Sequence, residues 1–357
     1  MLSLSPYLKL EALLIDTRKT LLDTWLTTTL ADTPYTLTTA SADASFRRYF
    51  RAHLATPYLG HATLIVMDAP PPQEDCAPFV RIADIFAKAG LNVPQVLAQD
   101  LSQGFLLLSD LGDDVYLKHL NATSAPKLYQ QANAALIQLQ LASKPQVLPD
   151  YDEALLTREM QLFPDWYIAK HLNVTLDESQ QKALKATFDV LNKNILAQPQ
   201  VYVHRDFHAR NLMLTDANNP GVLDFQDAVY GPITYDLVSL LKDAYIEWEE
   251  ADVIDWLVRY WQEARKAGLP VPEDFSTFYR DFEYTGAQRH IKILGIFARL
   301  YHRDGKDGYL KDMPLVMRYL RKVCERYIEL RPMLRLLEAL DGSDQHPDSN
   351  YKKLLKL

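Results

Sequence analysis

The segment from Val201 to Phe225 constrains this chain more than any other stretch of comparable length. It runs through the apolar VYV at 201–203, then His204-Arg205-Asp206-Phe207-His208-Ala209-Arg210-Asn211, then LML at 212–214, the turn-forming TDANNPG and VLDF at 222–225. These apolar runs are too short for helices and are bounded by Asn, Asp, Pro and Gly, so the reading predicts small strands around a turn. Between and after them stand Asp206, Asn211 and Asp224, polar groups that a strand ladder does not need. Such strands support loops that present side chains.

The rest of the chain sets the frame. Its 357 residues suffice for about two domains. With 48% hydrophobic and 24% charged residues it can bury substantial cores. A net charge of −8 argues against a general nucleic-acid or anionic-membrane surface, leaving room for a local basic pocket. Cys76 and Cys324 are far apart, which supports neither a disulfide framework nor a zinc site and suits a reducing cytoplasm. The N-terminus is broken by Lys9, Glu11, Asp16 and Arg18 and reads as mature protein, and no apolar stretch approaches membrane-spanning length. A cytoplasmic protein with no nucleic-acid, membrane or obligate protein partner is expected.

Periodicity divides the chain. Leu10, Leu14, Leu21, Trp25 and Leu26 recur at helical spacing between Tyr7 and Leu30, and Pro34 closes that segment. TLTT, RRYFRAHL and ATLIVMD read as an antiparallel meander. Phe79, Ile82, Ala83 and Phe86 mark a helix face ending at Gly90, after which Val93-Pro94 and GFLLLSDLG read as loop and strand. Beyond Asp114 the pattern is helical: Leu128, Ala132, Ala135, Leu136 and Leu139 share a face, as do Ala183, Leu184, Val190, Leu191 and Ile195. The expected fold is α+β, with a strand-rich N-terminal lobe over 1–112 and a larger, mainly helical C-terminal lobe over 113–357. The tail after Asp341 is polar and is expected to be the least ordered segment.

The central motif resembles the kinase catalytic-loop pattern H-R-D-x-x-x-x-N with a metal-binding Asp downstream. Phosphoryl transfer needs a carboxylate to orient and deprotonate the attacking hydroxyl, plus oxygen ligands for magnesium bridging the nucleotide phosphates. Asp206 fits the first role; Asn211 and Asp224 fit the second. Taken singly, Asp206 reads equally as a turn cap, His204 as a hydrogen-bonded core histidine and Asp224 as a strand-end carboxylate.

Downstream, LDFQDAVYGPITYDLVSLLKDAY contains G-P-x-x-Y-D-L, and with the catalytic loop it resembles the aminoglycoside phosphotransferase and choline kinase superfamily. That resemblance implies a bilobal protein-kinase-like fold, magnesium and ATP, and for Asp236 a structural carboxylate tying its helix to the catalytic loop. SADASFRRYFR, LIVMDAPPPQEDCAPFVRIADIF, VPQVLAQDLSQGFLLLSDLGDDVYL, VHRDFHARNLML and RHIKILGIFARLYHRDGKDGYL are more narrowly similar to the bacterial cell-wall sugar kinases. These act on the anomeric hydroxyl of N-acetylmuramate and N-acetylglucosamine, which implies formation of a sugar 1-phosphate in peptidoglycan recycling, upstream of a nucleotidyltransferase.

Two departures from the protein-kinase pattern stand out. No G-x-G pair occurs, and Ser41 to Ser45 are the small residues that could bring backbone N–H groups near phosphate, although a plain hairpin turn would read the same. LIVMDAP carries Met67 and Asp68 where a V-A-I-K strand offers its lysine, so Arg47, Arg48 and Arg51 become the candidate phosphate cations. Strand alternation puts Arg47 and Arg51 on one face and Arg48 on the other; exposed edge-strand charges would look alike. Glu74 is a candidate for the helix glutamate that organises this region. Ser45, Arg47, Arg48, Leu108 and Asp110 are the expected nucleotide residues, the last two as part of a hinge facing adenine.

His208, Arg210, Gln226, Arg289 and His290 are expected at the substrate, where an Arg could hold a lactyl carboxylate by paired hydrogen bonds; surface salt bridges would explain the same arginines. Glu247, Glu249, Glu250 and Asp252 read as a solvated helix face. A kinase for an aminoglycoside, choline or another small alcohol, and a catalytically inactive pseudokinase, remain as alternatives.

Overall fold

The computed structural model describes residues 6–42, 46–71 and 73–341. By internal contact they form two compact units, one from the described residues within 1–88 and 92–113 and one from those within 89–91 and 114–357. No helix among the described residues is long and apolar enough to cross a membrane.

The first unit opens with α1 (Pro6–Thr29), then β1 (Tyr35–Ala42), β2 (Arg48–Tyr58), β3 (His61–Asp68), α2 (Ala77–Lys88), β4 (Val96–Asp100) and β5 (Phe105–Ser109). The strands form one antiparallel sheet in the order β1-β2-β3-β5-β4. Every residue of β5 is buried because β5 is an inner strand and both its faces are covered. Phe105 and Leu107 join Ala52, Leu64 and Val66 under Leu22, Leu26 and Leu30 at the end of α1.

The helix face thus runs through Leu22, four residues before Leu26, while Leu21 is 45% exposed; the side chains of Leu10 and Leu14 lie outside the described residues. Phe79, Ile82, Ala83 and Phe86 of α2 are all buried, as their spacing predicts. The turn before β5 needs Gly104. Its φ is +74°, and a Cβ there would sit 1.9 Å from the Ala69 carbonyl oxygen, which the backbone crosses in exchanging the Ala69 N–H···O=C Gly104 bond of 2.8 Å.

The second unit contains α3 (Tyr116–His119), α4 (Ala125–Leu141), α5 (Glu153–Met160), a π-helical stretch Phe163–His171 and α6 (Glu178–Ala197). Strands β6 (Gln200–Val203), β7 (Leu212–Met213), β8 (Gly221–Val222) and β9 (Val229–Pro232) follow, then α7 (Tyr235–Leu241), α8 (Glu250–Ala267), α9 (Phe275–Asp304), α10 (Met313–Arg326) and α11 (Arg331–Asp341). β6 pairs with β9 and β7 with β8, which confines the catalytic segment between two small ladders.

α9 is the spine of this unit. Its 30 residues are capped at the start by Asp274, whose carboxylate accepts the N–H groups of Ser276 and Thr277, and at the end by Gly305 in the left-handed conformation. Gly295 lets the helix lie against the chain entering the π-helical stretch, since a Cβ there would meet the Leu162 carbonyl carbon at 2.4 Å. The tail beyond Asp341 lies outside the described residues.

Candidate active site

The catalytic segment is held from below by Asp236 in the first turn of α7. Its two carboxylate oxygens accept the backbone N–H groups of His204 at 2.7 Å and Arg205 at 2.9 Å. Arg205 has φ +77°, a left-handed conformation that costs a side-chain-bearing residue about 1–2 kcal/mol. Its carbonyl is held too, accepting from Arg289 Nη1 at 2.7 Å and Ser239 Oγ at 3.2 Å. Burial pushes the Asp236 carboxyl up to about 7, against the opposing pull of the two N–H donors and Arg289.

His204 is fully buried, and burial lowers its pKa to about 4, so the ring is neutral near pH 7. Its tautomer follows from its partners: Nδ1 accepts the Asp206 N–H at 3.2 Å, and Nε2 therefore donates to the Leu223 carbonyl at 2.8 Å. One ring thus locks the start of the loop to the residue preceding Asp224.

The Asp206 side chain is 40% exposed, whereas Arg289, 3.3 Å away through Nη2, is 3% exposed. Burial alone would raise the Asp206 carboxyl. The charges of Arg289, Lys292, His208 and Arg205 outweigh it and hold the carboxyl well below the usual carboxylate range. Asn211 Nδ2 donates to the Asp206 carbonyl at 3.0 Å and to Asp224 Oδ2 at 3.3 Å, and Gln226 Nε2 donates to Asp224 Oδ1 at 2.8 Å. β8 ends at Val222, so VLDF is strand only at its start; Asp224 itself takes φ +63° and stands exposed.

This donor set suits magnesium. The Asn211 amide nitrogen is engaged with protein oxygens, which leaves its carbonyl oxygen for a cation beside an exposed carboxylate. Among the described residues no three His, Cys, Asp or Glu side chains gather into a metal cage. Two hard oxygen ligands, completed by water and phosphate, match magnesium's usual mode of binding.

The residues expected at the substrate divide. His208 and Arg210 meet Tyr245, the first edge-on at 5.6 Å between ring centroids and the second with its guanidinium 3.7 Å from the ring centre. Gln226 faces Asp224 instead. Arg289 contacts Asp206 rather than open space. His290 is a core residue: fully buried, stacked on Tyr319 at 5.2 Å and bonded through Nε2 to the Lys242 carbonyl at 3.1 Å, with burial lowering its pKa to about 3. It has no surface to offer a sugar.

Arg289 and Lys292 of α9 are buried because they have internal partners. Lys292 reaches Glu159 at 3.0 Å and the Tyr235 hydroxyl at 3.2 Å, and Glu159 also accepts from Arg205, Tyr151 and Gln288. Glu159 is the organising residue that sequence reasoning missed, since no local spacing links α5 to a loop 45 positions later. The acidic cluster Glu247–Asp252 is also more than a solvated face: Glu247 pairs with Arg318, and Glu250 with Arg326.

In the first unit, Ser45 and its neighbours Asp43 and Ala44 lie outside the described residues. Arg47 precedes β2, so strand alternation does not govern it, and its Nε lies 3.1 Å from Glu74. Glu74 stands in the turn before α2 rather than on the helix, and it also accepts the Phe46 N–H at 3.2 Å. Asp68, at the strand position where a V-A-I-K strand carries its lysine, is fully buried and shared by Arg18, whose Nε lies 2.9 Å away, and Arg48, also at 2.9 Å through Nε. Two guanidinium groups on one carboxylate leave a net charge of about +1 there. Arg51 is taken by Asp110 at 2.6 Å, and Leu108 is buried in β5.

A small antiparallel-sheet unit, a larger helical unit and a loop carrying Asp206, Asn211 and Asp224 in this order define a kinase of the protein-kinase-like phosphotransferase class. More narrowly, the chain belongs to the APH phosphotransferase enzyme family, whose model matches residues 36–275. It is 49% identical over 332 residues to the N-acetylmuramate/N-acetylglucosamine kinase of Neisseria meningitidis, covering 92% of this chain and 97% of that one. With the enzyme of the same name from Pseudomonas aeruginosa it shares 52% identity over 307 residues, 86% of this chain and 89% of the other.

Among solved structures, a choline/ethanolamine kinase family protein from Mesorhizobium loti superposes with a TM-score of 0.60 at 16% identity, covering 89% of this chain and 99% of that chain. An ADP-bound aminoglycoside phosphotransferase gives 0.56 at 13% identity, covering 85% and 98%.

Proposed function

We propose that this protein transfers the γ-phosphoryl group of ATP to the anomeric hydroxyl of N-acetylmuramate and N-acetylglucosamine, forming the sugar 1-phosphate. The observation that carries the reading is identity near 50% along almost the whole chain to kinases named for these two sugars. The reaction would serve peptidoglycan recycling in the cytoplasm, ahead of a nucleotidyl transfer.

Asp206 is assigned the acceptor hydroxyl. A carboxyl held this far down is a weak base, so it orients the hydroxyl early and takes its proton late, as the oxygen–phosphorus bond forms and the bond to the leaving ADP oxygen breaks. A loose transition state asks for that order, because the attacking oxygen gains little positive charge until late. Asn211 Oδ1 and the Asp224 carboxylate would hold magnesium, which when bound offsets charge on the phosphates. The Arg18–Asp68–Arg48 group and Arg47 are assigned the cationic role that a strand lysine would have. This assignment answers the pseudokinase reading, whose motive is the missing lysine. Adenine recognition is assigned to the backbone from Leu108 to Asp110, beside which the Asp110 carboxylate fixes the Gly112 N–H at 2.9 Å.

ADP release with each sugar tests the assignment. Asp206→Asn should lower kcat by at least about 100-fold while leaving the thermal transition within a few degrees of wild type. Asp224→Ala should in addition weaken magnesium-dependent ATP binding. Near wild-type turnover in Asp206→Asn would sink the assigned role.

A further inference from the structure

The sequence offers several cations for an acidic sugar, and the structure leaves few of them free to act. Arg289 is buried and bound to Asp206 and the Arg205 carbonyl, His290 is buried, and Lys292 is buried and bound to Glu159. Arg210 differs from all three. It is exposed, and among the described residues it forms no direct ion pair; the carboxylates of Asp243 and Asp312 act on it only at longer range. Its guanidinium lies 3.7 Å from the centre of the Tyr245 ring, and the edge of His208 meets the same ring.

A guanidinium seated on an aromatic face gains cation–π attraction and loses little further freedom when it binds, while its N–H fork stays available in the ring plane. Arg210 also stands four residues after Asp206, on a loop tightened by the His208 N–H bond to the Asp206 carbonyl (2.9 Å) and the Asn211 N–H bond to the His208 carbonyl (2.8 Å). Fully extended, four residues would span about 14 Å; these two bonds shorten the backbone path between Asp206 and Arg210 well below that.

Resting on the sugar-kinase reading, we infer that Arg210, carried by Tyr245, is the receptor for the lactyl carboxylate of N-acetylmuramate and sets the preference between that sugar acid and neutral N-acetylglucosamine. The same chemistry would also suit a nucleotide phosphate. The two sources differ in what they predict, since only the sugar carboxylate is missing from one of the two substrates.

The test is kcat/KM for both sugars, and KM for ATP, in wild type, Arg210→Ala, Arg210→Lys and Tyr245→Leu. A charge-assisted contact to carboxylate is worth roughly ten- to a hundredfold in binding. The ratio of kcat/KM for N-acetylmuramate to that for N-acetylglucosamine should fall by about this factor in Arg210→Ala, by less in Arg210→Lys, and partially in Tyr245→Leu. Equal losses on both sugars with a raised KM for ATP would assign Arg210 to a phosphate and overturn the inference, as would an unchanged ratio. Wild-type enzyme inactive on both sugars would instead refute the sugar-kinase reading itself, and this inference with it.

Discussion

Replacing Arg289 with methionine separates the charge that surrounds Asp206 from the shape of the site. Methionine keeps a flexible, buried chain of similar reach and removes the guanidinium. In the native protein that group contacts Asp206 Oδ1 at 3.3 and 3.4 Å and the Arg205 carbonyl at 2.7 Å. A hydrogen bond to a charged group contributes about 1.5–3 kcal/mol. The contacts to Asp206 are long and its side chain is 40% exposed, so solvent screening reduces their share to about 1–1.5 kcal/mol, or about one pK unit. Loss of the bond to the Arg205 carbonyl adds about 1–3 kcal/mol, because that carbonyl belongs to a residue in the left-handed conformation.

The sign follows from the depressed pKa. A carboxyl held below its unfolded value stabilises the fold above that value and loses the contribution as pH falls toward the folded one. The Arg289→Met protein should therefore be less stable by about 2–4 kcal/mol at neutral pH, by the sum of those terms, with the deficit shrinking below about pH 4. The acidic limb of kcat/KM should also move up by about one pH unit. Urea unfolding at several pH values and a pH–rate profile measure both. A deficit independent of pH, together with an unmoved acidic limb, would refute the view that Arg289 sets the charge state of Asp206.

Three further outcomes are expected. Asp236 has a raised carboxyl, so its contribution to stability is complete below the unfolded pKa and is lost as pH rises through about 7. The stability gap between wild type and Asp236→Asn, read by urea unfolding, should accordingly be widest in acid and narrow toward neutral pH; parallel curves would contradict this. Asp68→Ala strands the Arg18 and Arg48 guanidiniums without their shared carboxylate and should destabilise by about 3–5 kcal/mol, scored by the denaturant midpoint, whereas a loss below about 1 kcal/mol would show that the group is not integral to the fold. Gly295→Ala drives a methyl into the Leu162 backbone and should cost about 1–3 kcal/mol in the same measurement; an unchanged midpoint would mean that α9 and its neighbour move apart freely.

What could be read from the sequence was contiguous or periodic. The kinase-like loop is an eight-residue run whose assigned roles attach to fixed offsets, and the buried face of α2 repeats at helical spacing. β4 escaped because a half-exposed edge strand of five residues carries no alternation: only Gln99 is exposed. The face of α1 was displaced by one position because Leu21 and Leu22 are equally apolar, and packing alone chooses Leu22.

The harder cases were charges whose partners lie far away in the chain. Arg289 and His290 read as substrate-binding residues until Asp206 appears beside the first and Tyr319 stacks on the second. Burial of a charge depends on its tertiary partners, and neither periodicity nor composition encodes them.

Phosphorus NMR on the purified protein with ATP, magnesium and, in separate tubes, N-acetylmuramate, N-acetylglucosamine, choline and kanamycin tests the proposed reaction most directly. The expected result is a new sugar 1-phosphate resonance in the two amino-sugar tubes that vanishes without magnesium and in Asp206→Asn. Phosphate appearing on choline or kanamycin, with both sugars untouched, would contradict it.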